Sequence, residues 1–362
     1  MTDRIGRVQA SAAESALDAL LLVAPPNLAY VSGFFANPHE RLIALVVPRE
    51  GKPHLVVPSL EEEAAHGAVG DTADLHVWRD EDGPGDALQA ALAGLDGTIG
   101  IEKHALTVAF LEQAQAAAPG SRFEGCDALI GGLRAVKDEQ ELERHRRAAA
   151  LVDRVVARLA ENARPGRTEA ELAAECELLL REHGGDGAAF ALVLTGAKSA
   201  LPHGSSDGSP LHEGDLLILD IGTSVEGYYA DITRTFVVGR EPEERQQELF
   251  EVVRDAQAAG VRAATAGATG ADVDRAARSV IDAAGLGEYF VHRTGHGLGL
   301  EVHEPPYLTA TSEEPLAVGN VVTVEPGVYV PGYGGIRIED DVVVRDGEPE
   351  ILTRAPIVLA PG

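Results

Sequence analysis

Residues 216–238 read LLILDIGTSVEGYYADITRTFVV: two apolar runs, each carrying one aspartate, on either side of a short glycine-bearing turn. The composition and alternation predict two consecutive strands over LLILDIG and GYYADITRTFVV. Asp220 closes the first apolar run, and Asp231 lies eleven residues later (231 − 220) within the second. Strands joined by a tight turn bring the two carboxylates side by side. Buried carboxylates that close repel, and their pKa values rise unless a cation sits between them.

The same pattern recurs further along the chain. Glu325 follows VVTV and precedes Pro326-Gly327, and Glu339 lies in IRIED. VVTVEPGVYV and GIRIEDDVVV are expected to be strands. Period-two alternation then puts Arg337, Glu339 and Asp341 on one face, with Ile336 and Ile338 on the other. The stretch GHGLGLEVHE (295–304) adds His296 and His303 among three glycines. Taken singly, each acid is a turn former or a solvated charge, and each histidine a loop residue. Taken together, four acids bordering apolar strands would cost several kcal/mol apiece to bury uncompensated. A pair of divalent cations removes that cost. Oxygen-rich ligation with one imidazole suits Mn²⁺, Co²⁺, Fe²⁺ or Zn²⁺ in a two-metal site better than a closed structural zinc site.

The bulk properties are those of an ordinary soluble globular protein. The chain has 362 residues, 45% apolar and 24% charged, enough for two domains with sizeable cores. Acids outnumber Lys and Arg 58 to 30, a formal charge of −28 that disfavours nucleic acid as a partner. Two cysteines, Cys126 and Cys176, fall in no C-x-x-C pair, so a disulfide framework is not expected. The most apolar N-terminal run, ALLLVA (19–24), is too short to cross a membrane and fits no signal peptide, so a cytoplasmic location is expected.

Strand-like LLLVA, LIALVVP, HLVVP, LHVW and TIGIE alternate with helical AAESALDAL and DALQAALAGL, giving an α/β domain over residues 1–132, with Gly131-Gly132 as its boundary. A second domain over 133–362 opens with a long amphipathic helix from Asp138 to Asn162. Thr168 and Glu171 then form a capping box before another helix, and strands follow, with helical QQELFEVVRDAQAAGVRAA and GADVDRAARSVIDAAG between them.

LDIGTSVEGYYADITRT, HRTGHGLGLEVHE, TVEPG and GGIRIEDDVVV together resemble the motifs of the pita-bread metallopeptidases, which include methionine aminopeptidase, aminopeptidase P and Xaa-Pro dipeptidase (prolidase). The resemblance covers the second domain and, more weakly, the first. It implies a creatinase/prolidase-like α/β N-terminal domain followed by an α+β pita-bread catalytic domain. It further implies that Asp220, Asp231, His296, Glu325 and Glu339 hold two divalent ions, Mn²⁺ foremost, with Asp231 and Glu339 bridging. His203, in ALPHG, and His303 resemble the family's active-site histidines, and His292 lines the pocket beside them. Thr233 and Arg337 are expected to orient the ligating carboxylates.

The resemblance implies hydrolysis by attack of a metal-bridging hydroxide on the scissile carbonyl, with Glu325 carrying the proton and His203 and His303 stabilising the oxyanion. The N-terminal domain and the histidine set point to an exopeptidase acting on peptides with proline in second position. The main reading is an Xaa-Pro dipeptide as substrate, with a longer peptide, as in aminopeptidase P, as the alternative. Creatinase shares the fold without the metal set, and a metal-free peptide-binding module is a further alternative; the intact ligand set argues against both. A dipeptidase must grip the terminal carboxylate. Arg41, in NPHER (37–41), and Arg293 are candidates, since a guanidinium binds a carboxylate bidentately. The NPHER segment resembles an N-domain loop that reaches the neighbouring subunit's site in some bacterial prolidases, which implies a homodimer. Some prolidases carry a basic residue shortly after the VHE histidine, where this chain reads EPPYL. Tyr228 and Tyr307 are candidate pocket walls.

Overall fold

The computed structural model describes residues 2–360. They form two compact units that divide between Arg134 and Ala135.

The N-terminal unit comprises α1 (Thr2–Glu14), β1 (Ala19–Leu22), α2 (Pro25–Ser32), β2 (Ala44–Pro48), β3 (His54–Pro58), α3 (Glu62–Val69), β4 (Asp74–Trp78), α4 (Gly85–Ala91), β5 (Thr98–Ile101), α5 (Val108–Ala117), β6 (Arg122–Gly125) and α6 (Asp127–Ala135). Its sheet runs in the order β4-β3-β2-β1-β5-β6. The sheet is mixed: β1 pairs parallel with β5 and antiparallel with β2. The strands carry Leu21, Val46, Val56 and Ile99 into a core shared with Leu88, Leu92 and Ala114 of the covering helices.

One local expectation is corrected here and a second is adjusted. AAESALDAL is not one helix: α1 stops at Glu14, Ala16 turns the chain at φ 56°, and β1 begins at Ala19. Pairing of Asp18 with Thr98 through both backbone and side chain pulls this segment into the sheet, overriding its helical composition. Gly131 and Gly132, the expected boundary, lie within α6, and the two units divide two residues later.

The C-terminal unit continues with α7 (Glu139–Asn162), α8 (Glu169–Glu182), β7 (Ala188–Thr195), β8 (Leu216–Val225), β9 (Tyr228–Val237), α9 (Glu244–Ala263), α10 (Gly270–Ala283), β10 (Gly295–Gly297), β11 (Glu304–Leu308), β12 (Val321–Val324), β13 (Gly327–Val330), β14 (Gly334–Arg337), β15 (Asp340–Val343) and β16 (Glu350–Ile351). Capping boxes start α7 (Asp138 with Glu141) and α8 (Thr168 with Glu171), satisfying backbone N–H groups at each N-terminus.

Strand alternation sorts the side chains in this unit. In β8 and β9, Leu217, Leu219, Ile221, Ala230 and Ile232 pack with Val152, Val155 and Leu159 of α7 and Leu172 of α8. Asp220, Asp231 and Thr233 occupy the opposite face. The second sheet runs β11-β10-β12-β15-β16, with β13-β14 as a separate ribbon. Val322, Val324 and Val342 of that sheet pack with Val261 and Val273 of the α9–α10 pair. Apolar faces thus turn to the helices, and the acids are left on the strands' other face.

VVTVEPGVYV and GIRIEDDVVV each break into two strands that enter different sheets. Pro326 has no N–H to donate, and Glu325 N–H bonds instead to Thr294 O at 2.8 Å. At the second break Glu339 N–H bonds to Thr233 O at 3.1 Å, tying it to β9. Both breaks fall at a predicted ligand.

Candidate active site

The structure brings ten of the predicted residues of the C-terminal unit to one cavity of about 690 Å³, lined by Asp220, Asp231, His296, Glu325 and Glu339 together with His203, His292, Arg293, His303 and Arg337. In the β8–β9 register Asp220 faces Thr233 and Gly222 faces Asp231, so the two aspartates are diagonal neighbours on one face. Gly222 is required there, because a Cβ would overlap the Phe190 ring, which forms part of the wall. Gly295 has a similar role under His296, where a Cβ would overlap the Thr323 carbonyl oxygen.

Asp231, His296 and Glu339 are buried, and their ligand atoms lie within 4.8 Å of one another. His296 Nδ1–H donates to Gly297 O at 3.1 Å, which leaves Nε2 as a lone-pair donor, 3.4 Å from Glu325 Oε1. Burial, with the nearby His303, lowers the His296 pKa to about 3, so its imidazole is neutral, the form that ligates a metal. Thr323 Oγ1 accepts from His296 N–H at 3.1 Å and donates to Glu325 Oε1 at 3.3 Å, fixing both residues.

Burial and mutual repulsion act on the acids in one direction. Asp231 and Glu339 rise well above the ordinary carboxylate range, each through burial first and neighbouring carboxylates next. Burial pushes Glu325 up to about 7. Arg337 offsets part of the negative charge: its guanidinium donates to Asp220 Oδ2, to Thr233 Oγ1 at 3.1 Å and to Tyr329 Oη at 2.7 Å. Thr233 Oγ1 in turn donates to Glu339 Oε2 at 2.6 Å. The other oxygens, Asp231 Oδ1 and Glu339 Oε1, are buried without a hydrogen-bond partner. Unpartnered buried carboxylate oxygens beside a neutral imidazole lone pair are the donor set a divalent cation requires, so these residues fit a metal centre.

Around this centre, the His303 ring stands edge-on to the His296 ring, 4.2 Å between centroids. His203 is exposed at the cavity lip. His292 is held by a directed chain: Arg337 donates to Tyr329 Oη, Tyr329 O–H donates to His292 Nε2 at 2.8 Å, and His292 Nδ1–H donates to Arg293 O at 2.7 Å. Burial holds His292 neutral, with its pKa lowered to about 4. Arg293 lies over the Tyr307 ring at 4.8 Å from the centroid, and no carboxylate among the described residues pairs with it. Its positive charge lowers the Glu325 pKa and opposes protonation of His303.

Arg41 belongs to the N-terminal unit, where its fork is occupied: Nε and Nη2 donate to the two oxygens of Asp80 at 3.0 and 2.9 Å, and Nη1 donates to Glu40 at 2.8 Å. Tyr228 is corrected. It projects to the helix side of β9, donates to Glu141 Oε1 at 2.7 Å and contributes nothing to the cavity. Tyr307 stacks under Arg293 and does not line the cavity itself.

Sequence reasoning missed Tyr329, Thr323 and the apolar walls, and gave Asp341 a face but no role. Asp341 Oδ2 accepts the Asp231 backbone N–H at 3.0 Å, supporting the strand from behind. Phe190 and Leu192 of β7 form a wall with Pro202 and Val302. The available signal was period-two alternation in AAFALVLT, which puts Phe190 and Leu192 on one face; Leu192 pairs with Asp220 itself.

Residues 143–346 match the profile of metallopeptidase family M24, and residues 4–136 that of the creatinase/prolidase N-terminal domain. The chain is 35% identical to the Xaa-Pro dipeptidase of Pyrococcus horikoshii, over 98% of this chain and 97% of that protein. It superposes on a prolidase from Thermococcus sibiricus with a TM-score of 0.93 at 33% identity, covering 99% of this chain and 98% of the other. It also superposes on an X-Pro aminopeptidase from Thermotoga maritima with a TM-score of 0.89 at 33% identity, covering 98% and 99%. These likenesses bear out the expected α/β N-terminal domain followed by a pita-bread catalytic domain.

Proposed function

The chain belongs to metallopeptidase family M24, and on that premise we propose that it hydrolyses Xaa-Pro dipeptides, with Asp220, Asp231, His296, Glu325 and Glu339 holding two divalent cations, Mn²⁺ foremost. Bound there, such a pair of ions polarises a carbonyl and makes a water nucleophilic at neutral pH.

The residues supply the rest. Glu325, shifted upward by burial, takes a proton from the attacking water at its carboxylate and delivers it to the leaving proline nitrogen. His303 and His203 donate to the oxygen on which negative charge develops. Phe190, Leu192 and Val302 pack against the proline ring and exclude water from it. Thr233 and Arg337 hold Glu339 and Asp220 in place.

The observation that carries the dipeptide assignment is the Arg293 guanidinium. It stands at the cavity wall beside Glu325 and His303, stacked on Tyr307 and without a carboxylate partner. A dipeptide's terminal carboxylate supplies that partner. Arg41 is a weaker candidate for this task, because Asp80 and Glu40 already occupy its fork. The proposal includes a homodimer, with the N-terminal unit contributing to its assembly. The kinship with an X-Pro aminopeptidase keeps the longer-peptide activity as the second reading.

The test compares hydrolysis of Ala-Pro and Ala-Pro-Ala by Mn²⁺-loaded protein, for wild type, Arg293→Ala and Arg41→Ala. Cleavage of the dipeptide alone, with KM raised at least about tenfold in Arg293→Ala, is expected, since a charge-assisted pair contributes about 1.5–3 kcal/mol. Equal cleavage of the tripeptide, indifferent to both arginines, would move the assignment to an aminopeptidase.

A further inference from the structure

The cavity lip is a segment without regular strand, residues 196–207, running between β7 and β8 and carrying Pro202, His203 and Gly204. Its two feet meet on one side chain. Glu169, the first residue of α8, is fully buried. Its Oε1 accepts the Thr195 backbone N–H at 2.9 Å, before the segment begins. Its Oε2 accepts the Lys198 ammonium at 2.5 Å and the Asp207 backbone N–H at 3.1 Å, where the segment ends. Lys198 Nζ also reaches Asp207 Oδ2 at 2.7 Å, closing the ring. The α8 backbone adds a second layer, with Ala170 N–H to Asp207 O at 2.8 Å and Glu169 N–H to Ser209 O at 3.1 Å.

Between the feet the segment is pinned at two further places. Gly335 N–H donates to Ser199 Oγ at 2.8 Å, which joins the outgoing leg to the ribbon ahead of Arg337. Val193 N–H donates to Ser206 Oγ at 2.8 Å, which fixes the returning leg to β7 beside Leu192. Among the described residues, the tip from Leu201 to Ser205 makes no hydrogen bond outside the segment, and His203 sits at its centre.

We propose that Glu169, with Lys198, is a positioning device for His203: one buried carboxylate clamps both feet of the lip segment and so fixes where its histidine stands over the metal-ligand face. The proposal rests on the assignment of His203 as a substrate-facing donor. A carboxylate suits the task because all of its partners are donors, arriving from three chain positions. An amide cannot replace it, since one end of a glutamine would present N–H to an N–H. Leaving a buried donor unpaired opens the segment locally rather than the whole domain.

Two readouts test it on the full-length, Mn²⁺-loaded protein. The first is limited proteolysis with trypsin, whose cleavage after Lys198 requires the clamp to open. Glu169→Gln is expected to raise cleavage at Lys198 at least about tenfold relative to other sites. The second is Ala-Pro turnover in Glu169→Gln, His203→Ala and the double variant. Glu169→Gln is expected to lower kcat about tenfold or more with little change in KM. In the His203→Ala background it is expected to cost nothing further, because it acts through that residue.

Should Glu169→Gln fail to accumulate, Lys198→Met is scored the same way, with cleavage by the broad-specificity proteinase K within residues 199–205 replacing trypsin. Unchanged cleavage at the lip overturns the clamp, and losses that multiply in the double variant overturn its action through His203. If the wild type is active and His203→Ala is silent, the assignment of His203 and the positioning role fall together, whereas trypsin still decides the clamp by itself.

Discussion

Stripping the metal should turn the buried acid cluster into a pH-dependent liability. Glu325 has an ordinary value of 4.5 and is pushed up to about 7 in the fold by burial. Between those values the folded protein holds a proton there that the unfolded chain has released. The associated stability is complete below about 4.5 and is lost as pH rises through about 7. That displacement corresponds to about 3 kcal/mol, lost mainly between about pH 5 and pH 8. Asp231 and Glu339 are shifted in the same direction and add to the loss. For a unit the size of 135–362, roughly 2–4 °C per kcal/mol makes the Glu325 share about 6–12 °C in Tm.

Divalent metal binds only the deprotonated ligands and stabilises the folded state by mass action, so its benefit should grow with pH. The assay is thermal unfolding of chelated and Mn²⁺-loaded protein across this range. The chelated protein should lose Tm with rising pH, and the gap between the two forms should widen. A chelated protein whose Tm holds or rises toward pH 8, or a gap that narrows, would refute the assignment of these acids as an uncompensated cluster.

Three substitutions extend the account. Lys137→Met should destabilise the protein by about 1–3 kcal/mol, because it removes a cation that pairs with Glu304 at 2.8 Å, both side chains being almost fully buried; Lys137→Met/Glu304→Leu should recover most of that loss in urea unfolding. Gly295→Ala forces a Cβ onto the Thr323 carbonyl oxygen, so it should cost about 1–3 kcal/mol or more and weaken Mn²⁺ binding through His296, both measurable by calorimetry. Tyr329→Phe removes the hydroxyl between Arg337 and His292; it should cost about 1–3 kcal/mol in urea unfolding and lower kcat while leaving metal stoichiometry intact.

What could be read from the chain follows from how each feature is encoded. Asp220 and Asp231 stood out because acids are rare within apolar strands, and their strands are joined by a turn of minimal length. His296 stood out because glycines flank it. Tyr228 was misjudged although the same alternation that brings Asp231 into the site turns Tyr228 away from it. The breaks at Glu325-Pro326 and Ile338-Glu339 depend on which strand offers a partner, which is tertiary information. The same holds for the end of α1, where pairing with Thr98 outweighs local helical composition. Asp341 with Asp231, Lys137 with Glu304, and Glu169 with Lys198 join positions 29 to 167 residues apart, so no local pattern announces the pairings. The occupied fork of Arg41 was equally invisible, because Asp80 is a distant residue in the chain.

The central claim is that one face of two strand pairs holds a pair of divalent ions that make the protein a peptidase. It is tested most directly by titrating chelated protein with Mn²⁺, measuring bound metal and Ala-Pro hydrolysis on the same samples. The account predicts two ions per chain, turnover that appears with them, and loss of both in Asp231→Ala and Glu339→Ala. Full turnover after chelation, or two ions bound as tightly in those variants as in wild type, would contradict it.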